Sequence, residues 1–172
     1  ENSIEHAKQF ENNTLHFEVW DMRKPIESKY DAVFNLFTSF GYFEDDNEDI
    51  AVLRSIKNGL KENGVFVLDF LNVEKVKNTL VKEEVKTIDG IEFNIKKEIK
   101  DGFILKHISF TAEGKSHSYT ERVKFLTLEK LQSYFDSVGL QVTHLFGDYN
   151  LNEFNSQSSD RLIIVAKWVT YC

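Results

Sequence analysis

Two short apolar runs constrain the fold of this chain more than any other feature. They span Ala32–Leu36 and Val65–Leu71, and neither alternates between apolar and polar residues. Strands of this kind are buried on both faces, as in a parallel sheet covered by helices. Ligands of such sheets bind where the strands end. The first run turns polar at Asn35 and then aromatic, so residues 30–43 are predicted to form a strand and the floor of a ligand site.

Amphipathic segments alternate with these strands and predict an α/β fold. Residues 3–12 and 50–60 carry apolar side chains on one helical face, and the second helix is expected to end at Gly64. A third helix is predicted between Thr127, as its cap, and Gly139. Further strands are predicted over residues 15–19 (ending at Asp21-Met22), 140–146 and 162–166.

Two acidic features leave alternatives open. Glu44–Asp49 holds five acidic side chains in six residues, which could bind a hard cation. The spacing lacks the alternation and central glycine of a calcium loop, and acidic residues favour the first turn of a helix. The start of a helix is therefore the favoured interpretation. Asp69, inside the second apolar run, could serve a cofactor at a strand end or cap the following helix.

Residues 81–126 change to an alternating pattern. Asp89-Gly90 and Asp101-Gly102 are strong signals for hairpin turns, and Glu113-Gly114 is a weaker one. Isoleucine and aromatic residues alternate with polar residues between these turns. The pattern predicts an antiparallel meander of about four strands, inserted so that it covers one end of the parallel sheet.

Charge and composition restrict the ligand class. A formal net charge of −7 disfavours a nucleic-acid partner. No apolar run approaches the roughly 18 residues that a membrane span requires. With neither a nucleic-acid nor a membrane partner expected, a small-molecule ligand is the favoured interpretation. The single cysteine, Cys172, cannot form an internal disulfide, which is typical of a cytoplasmic protein. The chain begins at Glu1 and its one methionine is Met22, so we expect a longer parent protein.

Several segments together resemble a known family. They are Trp20–Arg23, Tyr30–Phe34, Phe37–Phe43 and Leu60–Asp69. In combination with the closing helix and strands, they resemble class I S-adenosylmethionine-dependent methyltransferases, in the small-molecule branch with a β insertion. The resemblance implies a Rossmann-like sheet whose last strand is antiparallel to the rest. It also implies S-adenosylmethionine as cofactor and methyl transfer to an N or O atom of a small molecule.

The resemblance also implies site residues. Asp21 and Met22 would meet the adenine, and Asn35, Leu36 and Phe37 would lie beneath the methionine and ribose. Methyl transfer depends mainly on alignment of donor and acceptor, so no catalytic residue is assigned. The insertion and the segment after the floor supply candidate substrate contacts, each with an ordinary surface or packing role as its alternative: Tyr42, His107, Tyr119 and Arg122. No metal ligands are expected.

Two family features have no counterpart in this sequence. They are the glycine-rich loop after the first strand and the acidic residue that ends the second strand. The chain is therefore expected to be a methyltransferase domain that lacks its first strands. Two missing strands would separate the 15–19 strand from the 32–36 strand, so either these strands meet or exposed sheet edges pair between copies in a homo-oligomer. The alternative function is a non-catalytic, methyltransferase-like interaction module.

Overall fold

The computed structural model describes residues 2–168. In chain order its elements are α1 (Asn2–Lys8), β1 (Tyr30–Asn35), α2 (Asp46–Gly59), β2 (Leu60–Leu71), α3 (Val73–Thr79), β3 (Glu83–Ile88), β4 (Ile91–Lys100), β5 (Phe103–Ala112), β6 (Lys115–Lys124), α4 (Leu128–Val138), β7 (Leu140–Phe146) and β8 (Arg161–Trp168). They form two four-stranded sheets, one of mixed direction and one antiparallel. The predicted α/β fold with an antiparallel β insertion is confirmed.

The mixed sheet has the strand order β1-β2-β8-β7. β1 and β2 are parallel, whereas β8 is antiparallel to both of its neighbours. Within residues 2–168, β8 is thus the last strand and the one reversed strand of this sheet, as the resemblance implies. Phe66 in β2 stacks on Phe135 in α4 with ring centroids 5.6 Å apart, and both side chains are fully buried. Burial of each such side chain contributes roughly 1.5–3 kcal/mol to folding.

Helix α2 begins where the acidic run predicted a helix. Asp45 caps it, and a capping box joins the side chains of Asp45 and Glu48 to each other's backbone amides. The predicted end at Gly64 is wrong, because the helix stops at Gly59 and β2 starts at once. Tyr30 pairs with Leu60 but Ala32 pairs with Val65, so the residues between Leu60 and Val65 form a bulge in β2.

The N-terminal segment differs most from its prediction. Helix α1 ends at Lys8, and residues 15–19 form no strand; their one bridge joins Asn12 to Leu15. A strand needs a neighbour to pair its backbone groups, and no strand in residues 2–168 pairs with this segment. The outer edge of β1 is likewise unpaired within residues 2–168. The expectation that the 15–19 and 32–36 strands meet is therefore wrong.

The second sheet is the predicted insertion. It has the order β3-β4-β5-β6, and every neighbouring pair is antiparallel. The three predicted turns join its strands, and both residues of each turn have positive φ, from 50° to 78°. This geometry matches a type I′ turn, for which Asp-Gly is a preferred pair.

A buried ion pair holds the insertion against helix α2. The Lys124 ammonium lies 2.6 Å from the Asp49 carboxylate and 3.0 Å from that of Asp46, and Asp49 is wholly buried. Burial opposes the charge of Lys124, but hydrogen bonds to both carboxylates outweigh it and raise the pKa of the ammonium. The Lys124 amide also donates to the Gly41 carbonyl at 2.8 Å, so the base of β6 is held through backbone and side chain.

Residues 2–168 include no helix that is both long and apolar enough to cross a membrane. Cys172 and Glu1 lie outside the described residues.

Replacing Lys124 with methionine should destabilise the fold by about 3–5 kcal/mol, because it leaves a buried carboxylate without its counter-charge. Burial raises the pKa of Asp49, and Lys124 opposes that rise. In Lys124→Met the folded state therefore binds a proton more readily than the unfolded state. The free energy of unfolding of this variant should consequently decrease as the pH rises from 5 to 8. Urea unfolding of this variant and of Lys100→Met, an exposed control, measures both effects. A loss below 1 kcal/mol at pH 8 would contradict the assignment.

Candidate functional site at the strand ends

A strained turn follows β1 at the carboxyl end of the mixed sheet. Phe37 and Thr38 have φ values of 57° and 60°, in the left-handed region. Such a conformation is uncommon outside glycine and is rarest for β-branched or bulky side chains, where it costs about 1–3 kcal/mol per residue. Strain of this kind persists only when surrounding contacts fix the backbone, and it concentrates at functional sites.

The contacts that fix this turn come from Asp69 and Arg161. The Phe37 amide donates to the Asp69 carboxylate at 2.8 Å, and the Thr38 amide donates to the Asp69 carbonyl at 3.0 Å. Arg161 donates to the other Asp69 oxygen at 2.7 Å and to the Thr38 hydroxyl at 2.9 Å. Tyr149 adds a hydrogen bond to Asp69 at 3.0 Å. Asp69 is 1% exposed, so the backbone of the turn after β1 is held by hydrogen bonds to a buried carboxylate.

The contacts of Asp69 rule out one of its two sequence interpretations, whereas a role toward a cofactor stays a prediction. Asp69 does not cap α3, because the Asn72 side chain accepts from the Lys75 amide and occupies the cap position. Its carboxylate instead shapes the turn after the neighbouring strand.

Asn35 and Met22 come together beside this turn. The Asn35 amide nitrogen lies 3.6 Å from the Met22 sulfur, within reach of a weak hydrogen bond. Asn35 is 8% exposed, and its side-chain oxygen has no hydrogen-bond partner among residues 2–168. A buried acceptor without a donor costs about 1–3 kcal/mol. We define Met22, Asn35, Phe37, Thr38 and Asp69 as the strand-end site.

Asp21 adjoins this site and is ionised at neutral pH. The Arg23 guanidinium and the Arg23 amide donate to its carboxylate at 2.8–3.0 Å, which lowers the pKa of Asp21 to about 2. These are three hydrogen bonds, and a carboxylate offers about four lone-pair positions. Asp21 can therefore accept one more donor.

A cavity of about 510 Å³, which we call the strand-end cavity, lies between the strand-end site, α3 and the insertion. Phe37 and Thr38 form one wall together with Tyr42. Phe37 is 75% exposed and Tyr42 50%, so both rings are accessible to a ligand. The apolar lining of the cavity continues through α3 and the strands: Leu71, Val76, Leu80, Val81, Ile104 and Val123.

The four predicted substrate residues are distributed over three places. Tyr42 lines the strand-end cavity, and Tyr119 lies beyond it on the same face of the insertion, next to His117. His107 and Arg122 neighbour the cavity-lining residues Lys106 and Glu121, so the strand alternation directs them to the opposite face.

On that face Arg122 and His107 have local partners. Arg122 donates to Glu44 at 2.6 Å and stacks on Phe103, and the His107 ring nitrogen is 3.0 Å from the Thr120 hydroxyl. The structure thus does not bring His107 or Arg122 to the cavity.

The cavity instead receives charged side chains that the sequence reasoning did not select. They are Glu84, Lys97, Lys106 and Glu121. A sequence signal for three of them existed. Lys97 is in phase with Ile95 and Ile99, Lys106 is in phase with Ile104 and Ile108, and Glu121 is in phase with Tyr119 and Val123. Each is a charged residue at a position where the alternation calls for an apolar one.

A second concavity, of about 570 Å³, follows the unpaired edge of β1. Its lining includes Trp20, Ile26, Tyr30 and Phe34, and three of these are large rings that are 48–60% exposed. We call it the edge groove. It adjoins the side of a strand, whereas ligands of α/β sheets bind at the strand ends. Within residues 2–168 no group of three or more His, Cys, Asp or Glu side chains is arranged to hold a metal ion.

Comparison with solved structures identifies the fold. A S-adenosylmethionine-dependent methyltransferase from Clostridium acetobutylicum superposes with a TM-score of 0.82 at 18% identity, over 95% of this chain and 68% of that one. The chain has the fold of class I S-adenosylmethionine-dependent methyltransferases. No protein-family model and no curated protein matches the sequence.

Two further neighbours with this methyltransferase fold act on sugars. The sugar N-methyltransferase KedS8 from Streptoalloteichus gives a TM-score of 0.70 at 16% identity, over 94% of this chain and 66% of that one. CalS10 from Micromonospora echinaspora, an amino pentose methyltransferase whose structure contains S-adenosylmethionine, gives 0.68 at 17%, over 91% and 66%. The chain thus spans 66–68% of the length of these three neighbours.

Replacing Asp69 with asparagine should destabilise the protein by about 3 kcal/mol, because it removes the counter-charge of Arg161 and releases the strained turn. Asp160→Asn is the matched control, since Asp160 pairs with Lys75 but its side chain is 77% exposed. Its effect should stay within about 0.5 kcal/mol. Chemical denaturation of both variants makes the comparison, and equal losses would show that Asp69 has no special role.

Proposed function

We propose that this chain contributes the cofactor floor and the substrate cover of a methyltransferase. The reaction is transfer of a methyl group from S-adenosylmethionine to an N or O atom of a small molecule. One observation carries the proposal: the buried Asn35 oxygen has no donor among residues 2–168, and it lies at the end of β1, next to Met22. An acceptor in that position suits a ligand that brings a hydrogen-bond donor.

Asn35 and Phe37 of the strand-end site, together with Asp21 and Leu36 beside it, fit the cofactor in chemical type. Asp21 has one acceptor position left, which suits the exocyclic amine of adenine. Asn35 offers its oxygen to an ammonium or hydroxyl group, and the exposed Phe37 ring offers an apolar surface. Leu36, 39% exposed, extends that surface. When bound, the cofactor supplies an activated methyl group, and the protein's part is to position the acceptor.

Positioning is the main catalytic requirement of this reaction, since alignment alone can contribute about 7–11 kcal/mol. The strand-end cavity extends from Phe37 and Tyr42, beside the proposed cofactor floor, to the insertion. An acceptor bound there would be held between the cofactor and the insertion. Of the predicted substrate contacts, Tyr42 is retained, and Tyr119 remains a prediction for a larger substrate. His107 and Arg122 are not part of the proposal.

The rival function is a non-catalytic interaction module. The edge groove favours it, because Trp20, Tyr30 and Phe34 expose rings along a strand edge that no other strand of residues 2–168 pairs, where another chain could add a strand. This edge is also where a homo-oligomer would form. Cytoplasmic location remains a prediction from the sequence.

Replacing Asn35 with leucine separates the two functions. The change removes an unsatisfied buried oxygen, so the free energy of unfolding should stay equal or rise. Affinity for S-adenosylhomocysteine should nevertheless fall about tenfold, because the ligand loses a hydrogen bond worth about 1.4 kcal/mol. Isothermal titration calorimetry and urea unfolding measure the two quantities.

The matched control is Asn94→Leu, at an exposed position of the insertion, which should change neither quantity. Unchanged affinity in Asn35→Leu would contradict the assignment of Asn35. Absence of binding in the unmodified protein would contradict methyl transfer and favour the interaction module.

A further inference from the structure

Four charged side chains form a continuous row across the inner face of the insertion. Lys97 lies directly opposite Lys106, and Lys106 lies directly opposite Glu121. Glu84 completes the row on β3, with its carboxylate 2.5 Å from the Lys97 ammonium. All four line the strand-end cavity. We call Glu84, Lys97, Lys106 and Glu121 the charged row.

The order of charges in this row is negative, positive, positive, negative. The two lysines are the central pair, and like charges directly opposite each other destabilise a sheet. Each lysine is balanced on its outer side, Lys97 by Glu84 and Lys106 by Glu121 at 3.0 Å. The inner sides of the two lysines therefore face each other without an intervening anion among residues 2–168.

The charged row is unusual for its surroundings. On β4, β5 and β6 the neighbours of Lys97, Lys106 and Glu121 on the same face are apolar or aromatic, and Ile95 is 7% exposed. On β3 the same face carries Lys86, whose ammonium lies 3.4 Å from the Glu84 carboxylate. The side chains of Glu84 and Lys97 are only 22% and 26% exposed, so their partial burial carries a desolvation cost that an open surface pair would avoid. An apolar side chain at either position would continue the face without that cost. A ligand contact gives the charges a function.

Hydrogen-bond capacity favours an anion over a cation. A lysine ammonium has three donors, and each of these lysines uses one on its own glutamate, so donors remain on both. The carboxylates occupy the outer ends of the row. The Lys97 hydrogen bond also lowers the pKa of Glu84, so that carboxylate stays ionised and paired with its lysine. The potential at the centre of the row is thus positive.

We propose that the methyl acceptor carries an anionic oxygen group, a carboxylate or a phosphate, held between Lys97 and Lys106. This inference rests on the proposed function, because it uses the strand-end cavity as the acceptor site. The anion would fasten the substrate to the insertion, and the apolar body of the substrate would extend toward Tyr42 and Phe37. Lys97 and Lys106 are then residues that determine substrate specificity.

The test uses small probes that share this chemistry. Phenyl phosphate and benzoate carry the two candidate anions on an apolar ring, and benzylamine carries a positive charge on a similar body. Each is titrated into the whole protein by calorimetry. Both anions, or one of the two, should bind, and the tighter one identifies the group. Benzylamine should bind at least tenfold more weakly.

Four lysine variants and one glutamate variant locate the site. Lys97→Met and Lys106→Met should each weaken anion binding about tenfold, the loss expected for a charge-assisted hydrogen bond. Lys96→Met is the control, because it makes the same change in net charge at an exposed position on the opposite face. Lys97→Arg keeps the charge and should retain most of the binding. Glu84→Gln frees Lys97 and should tighten binding severalfold, so the proposal stays testable if a methionine variant fails to fold.

Three results would overturn the proposal: an equal loss in Lys96→Met, tighter binding of benzylamine than of either anion, or no binding of any probe. Titration of S-adenosylhomocysteine in the same samples separates this inference from the proposed function. Cofactor binding without anion binding contradicts the anion site alone. Anion binding without cofactor binding contradicts methyl transfer but leaves an anion site in place.

Discussion

The carboxylate of Asp69 is the group on which the geometry of the strand-end site depends. It receives the Phe37 amide, the Tyr149 hydroxyl and the Arg161 guanidinium, and so connects β1, the loop after β7 and the start of β8. Phe37 and Thr38 would relax from the left-handed region without these contacts. The strand end would then lose the arrangement in which Phe37 lines the cavity. Buried charge in this position determines a conformation more than it adds stability.

A buried ion pair also holds the insertion in place. Lys124 neutralises Asp49 at the base of β6, and this pair fixes one end of the second sheet against α2. The charged row lies farther along that sheet and is less buried, so its lysines keep donors available. The insertion thus uses buried charge for attachment and partly exposed charge where a ligand could reach it. The Lys124–Asp49 pair is more buried than the charged row. This difference in exposure suits a structural role for the pair and the proposed binding role for the row.

Sequence patterns predicted the elements whose cause is local. The two unbroken apolar runs lie in β1 and β2, and the Asp-Gly pairs form turns with positive φ. Thr127 and Gly139 cap the two ends of α4. The prediction of a strand over residues 15–19 is wrong because an alternating pattern indicates only the propensity to form a strand. It does not show whether a neighbouring strand is there to pair with it. The predicted end of α2 was too late because Leu60 is fully buried as the first residue of β2, where it pairs with Tyr30.

The candidate site was predictable only in part, for a related reason. The resemblance selected Asp21, Met22, Asn35 and Phe37. Asn35 ends β1 and Phe37 follows it, whereas Asp21 and Met22 belong to the loop that precedes β1. The partners of the Asp69 carboxylate, Phe37, Tyr149 and Arg161, are 32, 80 and 92 residues away along the chain, so no local pattern indicates them. For the insertion, the alternation shows which side chains share a face of the sheet. Which face lies toward the cavity depends on how the two sheets pack. Lys97 and Lys106 lie on the face toward the cavity, whereas His107 and Arg122 lie on the opposite face.

Amide chemical shifts during titration with S-adenosylhomocysteine test the central claim most directly, because they locate binding even when affinity is low. If the strand-end site is the cofactor floor, the largest changes will occur at Met22, Asn35, Phe37 and Thr38, with smaller ones at Asp69. Changes confined to Tyr30 and Phe34 along the edge groove, or no changes at saturating ligand, would contradict it.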